Sequence, residues 1–511
     1  MALSVPQWGV FEQAFSGPSD GNPFTEQWIR LVAESPSERI QTEGFYDGSG
    51  VYRVRCMPSF PQRYTCTVTA SFLTQPWTGC FDVTEPQQGN HGMVHVANRF
   101  HFAYQDGKPM YPVGTTAYVW HLQDPAIQRA TLKALASAPF NKIRFCVFPK
   151  HYEYNLGEPI AYPFEGTPMD SSVLNERNFQ EYTGRTEGNH FDGTRFNPSY
   201  FRHIEECIRK LGELGIESDL ILFHPYDRWG FSQMGRVADE RYLRYVVARF
   251  ASFHNVWWSL ANEYDQLPAK TIDDWEYLAS VLVRFDPYHH LRSIHNCGPF
   301  YDHGKEWITH CSIQRQDVYR TAENTDQWRE RYQKPVVLDE MGYEGNIEHG
   351  WGNLSAKELV RRFWEATCRG GYGGHGETYL KKDGILWWSH GGVLQGESTP
   401  RIAFLCKVLE DIPGNGLSHV PARWDDVCAV VDGEADAGPK PYSLWYYGFQ
   451  RPSFRDFHID DVTWYHVDVI DTWNMTITDG GIHQGRFRVP LPGREYMAVR
   501  LRKKEEGSRK P

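Results

Sequence analysis

The spacing of apolar residues changes twice along the 511-residue chain, which divides it into three parts. From Trp8 to about Val96, alternating segments such as VYRVRCM and RYTCTVTA are separated by turn signals, a pattern typical of antiparallel strands in a β-sandwich. Short apolar runs then alternate with helical repeats until about Ile412, where hairpin strands return. We therefore predict an N-terminal β-sandwich over 1–96, a central domain over 97–411 and a C-terminal β-sandwich over 412–511.

The central domain is predicted to be a barrel of parallel strands. Apolar residues at i, i+3, i+4 and i+7 predict helices over 125–135, 199–214, 239–253, 271–285, 321–332 and 356–370. Between and around them lie the apolar runs MYPVGTT, KIRFCVF, ESDLILF, VWWSLA, LRSIHN, ITHCSI, VVLDE and DGILWWS. About eight strands that alternate with helices over roughly 300 residues are the count of a (β/α)8 TIM barrel, and the fold class is α/β.

Two glutamates stand out among the polar residues that follow the predicted strands. Glu263 ends VWWSLANE and Glu340 ends VVLDE, and strand ends of this kind meet at one end of a barrel. Either glutamate alone could cap a helix or pair with an arginine. Retaining glycoside hydrolysis uses two carboxyl groups about 5–5.5 Å apart, one to protonate the leaving oxygen and one to attack the anomeric carbon. The pair therefore indicates a glycosidase.

These motifs resemble those of a known group of enzymes. Asn262-Glu263 and the Glu340-Met-Gly sequence resemble the fourth-strand and seventh-strand motifs of clan A retaining glycoside hydrolases. The segments FSGPSDGNPF, FAYQDGKPMYPVGTT and KPVVLDEMGYEGNI are similar to candidate glycoside hydrolases in which an N-terminal β-sandwich of unassigned function precedes a (β/α)8 barrel. This resemblance extends over most of residues 8–410, and it leaves the sugar open.

The resemblance to clan A implies roles for four residues. Glu263 corresponds to the acid/base, Glu340 to the nucleophile and Asn262 to the side chain that binds the sugar 2-hydroxyl. Arg144 corresponds to the arginine that keeps the nucleophile ionised, although a structural ion pair below the site is the alternative. Clan members often have a nucleophile-binding tyrosine after the sixth strand. Here neither Gln314 nor Tyr319 is in that place, so this partner is left unassigned.

Other polar and aromatic residues near the predicted strand ends are candidates for substrate contact. His295 could also be a core histidine bound by backbone, and Glu377 could pair with His375 instead of a sugar. The glycine-rich stretch 371–392 would let backbone approach a ligand, and strand alternation favours Trp388 over Trp387 as the floor of a subsite. The substrate-binding candidates are Asn262, Arg144, His224, His295, Asn296, Trp120, Tyr118, His375, Glu377 and Trp388.

Composition narrows the classes of partner and location. The net charge of -11, with no like-charged block apart from a short mixed tail after Arg500, disfavours nucleic acid, and no stretch is long enough for a membrane span. The first residues show no secretory signal, which predicts an intracellular protein, or a secreted one if a leader has been removed. The cysteines and histidines lack metal-ligand spacing and the mechanism needs no metal or cofactor, so neither is expected. A homo-oligomer is left open.

The sequence therefore predicts a retaining, exo-acting glycosidase that acts on the non-reducing end of a small glycoside or oligosaccharide. Aromatic loops should close the barrel end into a pocket, whereas endo action would need an open groove. A non-catalytic carbohydrate-binding protein and a transglycosidase with the same residues are the alternatives. The two sandwiches are either carbohydrate-binding modules or packing domains, and the absence of a distinctive site signature favours packing.

Overall fold

Eight parallel strands form the central sheet of the chain. The computed structural model describes residues 3–315, 317–420, 427–431 and 440–504, so 505–511 of the charged tail lie outside the described residues. The strands, first to eighth, are Gly114–Thr116, Lys142–Cys146, Glu217–Phe223, Val256–Ala261, Arg292–Ser293, Cys311–Gln314, Val336–Glu340 and Tyr372–His375. Their order in the sheet is 5-4-3-2-1-8-7-6, and a parallel bridge between His295 and Ser312 joins the two outer strands. The predicted (β/α)8 barrel is confirmed.

The six predicted barrel helices are present, and their ends agree with the prediction to within four residues. They are Pro125–Leu135, Pro198–Glu213, Arg236–Phe250, Ile272–Phe285, Thr325–Tyr332 and Ala356–Cys368. Asp124, Asn197, Thr271 and Ser355 accept backbone amide hydrogens at four of the helix starts, which satisfies donors that a helix leaves unpaired. A further helix, Ser398–Leu409, follows the eighth strand and was not predicted.

The predicted eighth strand was wrong. Trp387–His390, which overlaps the end of DGILWWS, is a short helix, and the eighth strand is the glycine-rich Tyr372–His375. A Cβ atom on Gly374 would lie 2.4 Å from the backbone oxygen of Asp339 in the seventh strand. The glycine is needed because the two strands approach closely, so it serves strand packing and not the approach of a ligand.

The N-terminal β-sandwich consists of two sheets and packs on the outer helices of the barrel. One sheet contains Leu3–Pro6, Trp77–Thr84, Arg63–Ala70, Ile29–Glu34 and Arg39–Glu43, and the other contains Phe11–Ser16, Val51–Cys56 and Phe45–Tyr46. Leu31, Val54 and Phe81 are buried between them. At the barrel, Arg55 binds Glu12 of the sandwich at 2.6 Å and Glu205 of a barrel helix at 2.8 Å. This buried ion pair fixes the sandwich to the barrel wall.

A small antiparallel sheet closes the N-terminal end of the barrel. Its strands are Val94–Ala97, His101–Tyr104 and Pro109–Met110. Phe102 lies 5.3 Å from the Trp257 ring and 5.6 Å from the Tyr372 ring, near the starts of the fourth and eighth strands. The opposite end, called the mouth below, carries the residues that follow each strand.

The C-terminal domain is also built from β-strands. A sheet contains, in spatial order, Leu417–His419, Val427–Val431, Tyr442–Tyr446, Met497–Lys503, Tyr465–Asp471 and Thr476–His483, and a second pairs Phe454–His458 with Arg486–Pro490. Tyr446 stacks on Trp364 of a barrel helix at 5.6 Å. Among the described residues, no helix combines the length and apolar character needed to cross a membrane.

Candidate active site

Glu340 is the last residue of the seventh strand, and its carboxylate is surrounded by donors. Arg144, on the second strand, donates to Oε1 at 2.8 Å, and the hydroxyl of Tyr118, after the first strand, donates to the same oxygen. Burial by itself raises the pKa of Glu340, but His295, Arg144 and Tyr118 together outweigh it and hold the pKa well below its usual range. Glu340 is therefore an ionised carboxylate with a fixed orientation.

His295, just beyond the fifth strand, supplies a further donor to Glu340. Its Nε2 lies 3.3 Å from Glu340 Oε1, and its Nδ1 lies 2.9 Å from the hydroxyl oxygen of Ser312. Ser312 gives its only hydrogen to Asp339, at 2.5 Å, so its oxygen accepts from Nδ1. Both ring nitrogens face acceptor oxygens, so Nε2 is oriented towards the Glu340 carboxylate.

Glu263 has different surroundings, although it lies at the same end of the barrel. It follows the fourth strand with φ +47°, a left-handed conformation that is uncommon for a residue other than glycine and that occurs often in functional sites. The hydroxyl of Tyr226 donates to its carboxyl group. Burial and the negative charge of Glu340 raise the pKa of Glu263, and Lys150, Tyr226 and Gln314 only partly oppose this rise. Glu263 is therefore the carboxyl group of the pair that holds its proton more tightly.

Shared neighbours connect the two carboxyl groups. The ammonium group of Lys150 lies 3.5 Å from the ring centre of Tyr118, which binds Glu340, and 4.3 Å from that of Tyr226, which binds Glu263. The Asn262 side-chain oxygen accepts from Arg144 at 2.8 Å, which leaves its amide nitrogen as a donor for a ligand. A carboxylate with a lowered pKa, a carboxyl group with a raised pKa and an amide donor thus lie in one small region of the mouth.

Aromatic side chains and a bridge between two loops narrow the mouth. Trp388 lies 5.4 Å from Tyr118 and 5.0 Å from Trp351, measured between ring centres. His349, in the loop after the seventh strand, lies 2.9 Å from the carboxylate of Glu153, in the loop after the second. The mouth is therefore narrow, and the exposed fractions of Glu263 and Glu340 are only 5% and 4%.

Comparison with known proteins places this geometry in a family. Residues 96–403, more than half of the chain, match the family described as the apiosidase-like catalytic domain. The chain belongs to this family. Residues 4–71 and 424–502 of this apiosidase-like chain match two domains of unknown function, DUF5060 and DUF5605. No curated protein sequence matches it.

Solved structures agree with this assignment. A candidate glycoside hydrolase from Bacteroides vulgatus ATCC 8482 is 36% identical, with a TM-score of 0.90 over 98% of this chain and 100% of that chain. A family 5 glycoside hydrolase from the same organism has a TM-score of 0.60 at 14% identity, over 82% of this chain and 95% of that chain. A protein named only as a glycoside hydrolase has a TM-score of 0.59 at 14% identity, over 82% of this chain and 98% of that chain. The apiosidase-like chain thus has the barrel fold of glycoside hydrolases.

The apiosidase-like mouth brings together seven of the twelve residues predicted for the site. They are Tyr118, Arg144, Asn262, Glu263, His295, Glu340 and Trp388. The tyrosine that binds Glu340 is Tyr118, which follows the first strand. Gln314 lies between His295 and Glu263, and Tyr319 is 87% exposed. Trp388 reaches the mouth from a helix, so the strand alternation that favoured it does not apply.

The other five predicted residues contact the protein around the mouth. Asn296 binds the backbone of Gln314, Trp120 packs on Phe145, and buried His224 lies 3.4 Å from the Phe148 carbonyl oxygen. Burial lowers the pKa of His224 to about 3, so its imidazole is neutral. These three side chains make contacts that shape the barrel wall.

His375 and Glu377 lie next to each other and bind other protein groups, as in the alternative in which Glu377 pairs with His375 instead of a sugar. His375 Nδ1 lies 2.9 Å from the Thr115 hydroxyl, and its Nε2 lies 3.6 Å from Glu377. Glu377 accepts the backbone amides of Gln395 and Gly396 at 2.7 and 2.9 Å. Both side chains hold the loop after the eighth strand.

Sequence reasoning gave no role to Lys150, Tyr226 or Tyr343. Tyr343 lies three residues beyond Glu340, and its burial together with the negative charge of Glu340 raises the pKa of its hydroxyl. Lys150 and Tyr226 follow the second and third strands, so their position after buried runs was the available signal. Their neighbours depend on distances across the barrel, which no local pattern encodes.

Proposed function

We propose that this apiosidase-like protein is a retaining glycoside hydrolase, with Glu340 as nucleophile and Glu263 as acid/base. The observation that carries the proposal is the opposite setting of the two carboxyl groups. Glu340 has three donors that favour its charged form, whereas Glu263 is buried beside a negative charge that favours its neutral form. A double displacement needs this combination in its first step.

The proposed reaction proceeds in two steps at the anomeric carbon. Glu263 gives its proton to the glycosidic oxygen while Glu340 attacks, which breaks the bond to the leaving alcohol and forms a glycosyl ester. Glu263, now a carboxylate, then removes a proton from water, which attacks the anomeric carbon and releases Glu340. In this mechanism the Asn262 amide donates to the 2-hydroxyl, a contact that strengthens as positive charge develops on the sugar.

The narrow mouth supports exo action. The His349–Glu153 contact connects two loops across the entrance, and a polysaccharide chain lying through the mouth would have to pass it. A terminal residue or a small glycoside fits this enclosure better. Since the matching family takes its name from apiosidases, we propose a terminal apiosyl group as the first substrate to test.

Turnover of aryl glycosides tests this function directly. We expect wild-type protein to hydrolyse one member of a 4-nitrophenyl glycoside panel that includes the apiofuranoside, with the first sugar released in the configuration of the substrate. The stereochemistry is read by NMR during the first turnovers. Release of the opposite anomer would contradict retention, and no hydrolysis of any terminal glycoside would contradict the glycosidase proposal.

Lys150 gives a second prediction, in which stability and activity change in opposite directions. Its side chain is 3% exposed, and among the described residues its ammonium group donates to no oxygen. The buried lysines Lys142 and Lys270, by contrast, bind carboxylates at 2.5 to 2.7 Å. Burial lowers the pKa of Lys150 to about 8. We propose that its unused donors bind an oxygen of the substrate.

Lys150→Met should therefore stabilise the fold and impair turnover. At pH 7 we expect a gain of about 1–3 kcal/mol, since removal of a buried charge outweighs the lost ring contacts. The gain should shrink as pH rises from about 8, where folded Lys150 loses its proton, towards the ordinary lysine pKa of 10.5. kcat/KM should fall roughly tenfold or more. Lys270→Met, which leaves Asp239 unpaired, should lose stability instead, and a destabilised Lys150→Met would refute the argument.

A further inference from the structure

A cavity outside the mouth lies between the N-terminal sandwich and the barrel. It has a volume of about 450 Å³ and is lined by residues 23–30 and 43–46 of the sandwich and by the helix Arg236–Phe250. Small-molecule sites span about 300–1,000 Å³, so the volume suits a short oligomeric ligand. Neither Glu263 nor Glu340 lines it. We call this cavity the interdomain cleft.

One edge of the interdomain cleft has an exposed aromatic ring. Trp28 is 46% exposed, and the guanidinium group of Arg30 lies 5.2 Å from its ring centre, which helps to fix the indole. Val237, across the cleft on the helix, is also largely exposed. A flat apolar surface of this kind stacks well on the C–H face of a sugar ring.

The polar groups of the interdomain cleft are already oriented by one another. Glu43 binds Arg244 at 2.9 and 3.0 Å and lies 3.5 Å from Arg30, while Glu240 lies 3.8 Å from Arg244. Three glutamates, Glu26, Glu43 and Glu240, and three arginines, Arg30, Arg241 and Arg244, line the cleft. Their charges balance, so the cleft has no excess charge for a polyanion or a polycation. Fixed donors and acceptors beside an aromatic ring suit a neutral, hydroxyl-rich ligand.

The interdomain cleft lies on the outside of the barrel, towards the end that carries the mouth. The helix Arg236–Phe250 follows the third strand, and a barrel helix begins at the end of the barrel where the preceding strand stops. The lining residues Val237, Glu240 and Arg241 are in its first half, and Arg244 and Tyr245 lie just past its midpoint. The interdomain cleft therefore lies on the outer wall towards the mouth, where it can hold one part of a chain whose end is processed elsewhere.

We propose that the interdomain cleft is a second carbohydrate-binding site, which takes a neutral oligosaccharide and has Trp28 as its stacking surface. The choice of sugar as ligand rests on the proposed glycosidase function, whereas the site itself uses none of the catalytic residues. The sandwich would then act as a binding domain and not only as a packing domain.

Binding without turnover tests the proposal. The full-length Glu340→Gln protein is titrated calorimetrically with neutral xylo-, manno-, cello- and arabino-oligosaccharides of four to six units, and with oligogalacturonate as an anionic probe. We expect a neutral probe to bind, and Trp28→Ala in this background to raise its Kd roughly tenfold or more, as loss of a stacking ring does. Trp28→Phe should keep most of the affinity. Trp464→Ala, which removes a 50% exposed tryptophan elsewhere, should keep all of it.

Three results would overturn the second site: no neutral probe binds, oligogalacturonate binds more tightly than any neutral probe, or Trp28→Ala leaves the affinity unchanged. In an otherwise wild-type chain, Trp28→Ala should hydrolyse aryl glycosides at the normal rate. Loss of that activity would also count against a separate site. Because calorimetry needs no hydrolysis, failure of the glycosidase proposal and failure of the cleft proposal give different results.

Discussion

Glu340→Ala should abolish hydrolysis, with kcat reduced by about 10⁴-fold or more, the scale seen when a covalent nucleophile is removed. Arg144, Tyr118 and His295 all orient this one carboxylate. The measurement is turnover of the best aryl glycoside, with folding checked by thermal unfolding. Glu348→Gln, a change at an exposed glutamate of the same loop region, should retain activity.

Azide distinguishes the two carboxyl groups by stereochemistry. In Glu340→Ala, azide should enter the space of the missing carboxylate and restore turnover, giving a glycosyl azide of the configuration opposite to the substrate. If Glu263 were the nucleophile instead, this product would come from the Glu263 variant. Full activity of Glu340→Ala without azide would remove the basis of the proposed mechanism.

Glu263→Gln should slow the enzyme by an amount that depends on the leaving group. We expect a loss of about 10²–10⁴-fold with poor leaving groups, since general acid catalysis contributes on this scale, and a much smaller loss of the first step with dinitrophenolate, which needs no proton. Azide should accelerate release of the glycosyl-enzyme and give a product that retains configuration. Equal losses on all substrates would rule out the acid role.

The pH profile gives an independent check on the same residue. Turnover requires ionised Glu340, whose lowered pKa places the acid limb at low pH. It also requires protonated Glu263, whose raised pKa moves the alkaline limb above that of an ordinary carboxyl group. In Glu263→Gln the alkaline limb should disappear for the dinitrophenyl substrate. An unchanged alkaline limb would assign it to another group.

The barrel and its two glutamates were predictable because buried parallel strands leave a strong local signal. Every residue of VWWSLA and VVLDE is buried, and Glu263 and Glu340, after the first run and at the end of the second, lie at the mouth. The eighth strand, YGGH, lacked this signal because its glycines accommodate the neighbouring strand and carry no apolar side chain. An apolar run therefore predicts a strand only where apolar side chains pack around it. It does not predict a strand whose glycines let neighbouring backbone pack closely.

The site partners were harder to predict because they join distant parts of the chain. Tyr118 and Glu340 are 222 positions apart and meet only when the first strand lies near the seventh. His224 was favoured because it follows the third strand directly, yet it turns into the wall and Tyr226, two positions later, reaches Glu263. The identity of a strand-end residue was predictable, whereas the direction of its side chain was not.

The barrel closes between its fifth and sixth strands, directly beside Glu340. Within the described residues, the fifth and sixth strands are joined by the backbone of His295 and Ser312, and the same histidine ring contacts Glu340. Local separation of these two strands would displace the imidazole while the other strand pairs and both flanking domains remain folded. We therefore expect catalytic activity to be lost at a lower temperature than the midpoint of global unfolding. Activity should return on cooling.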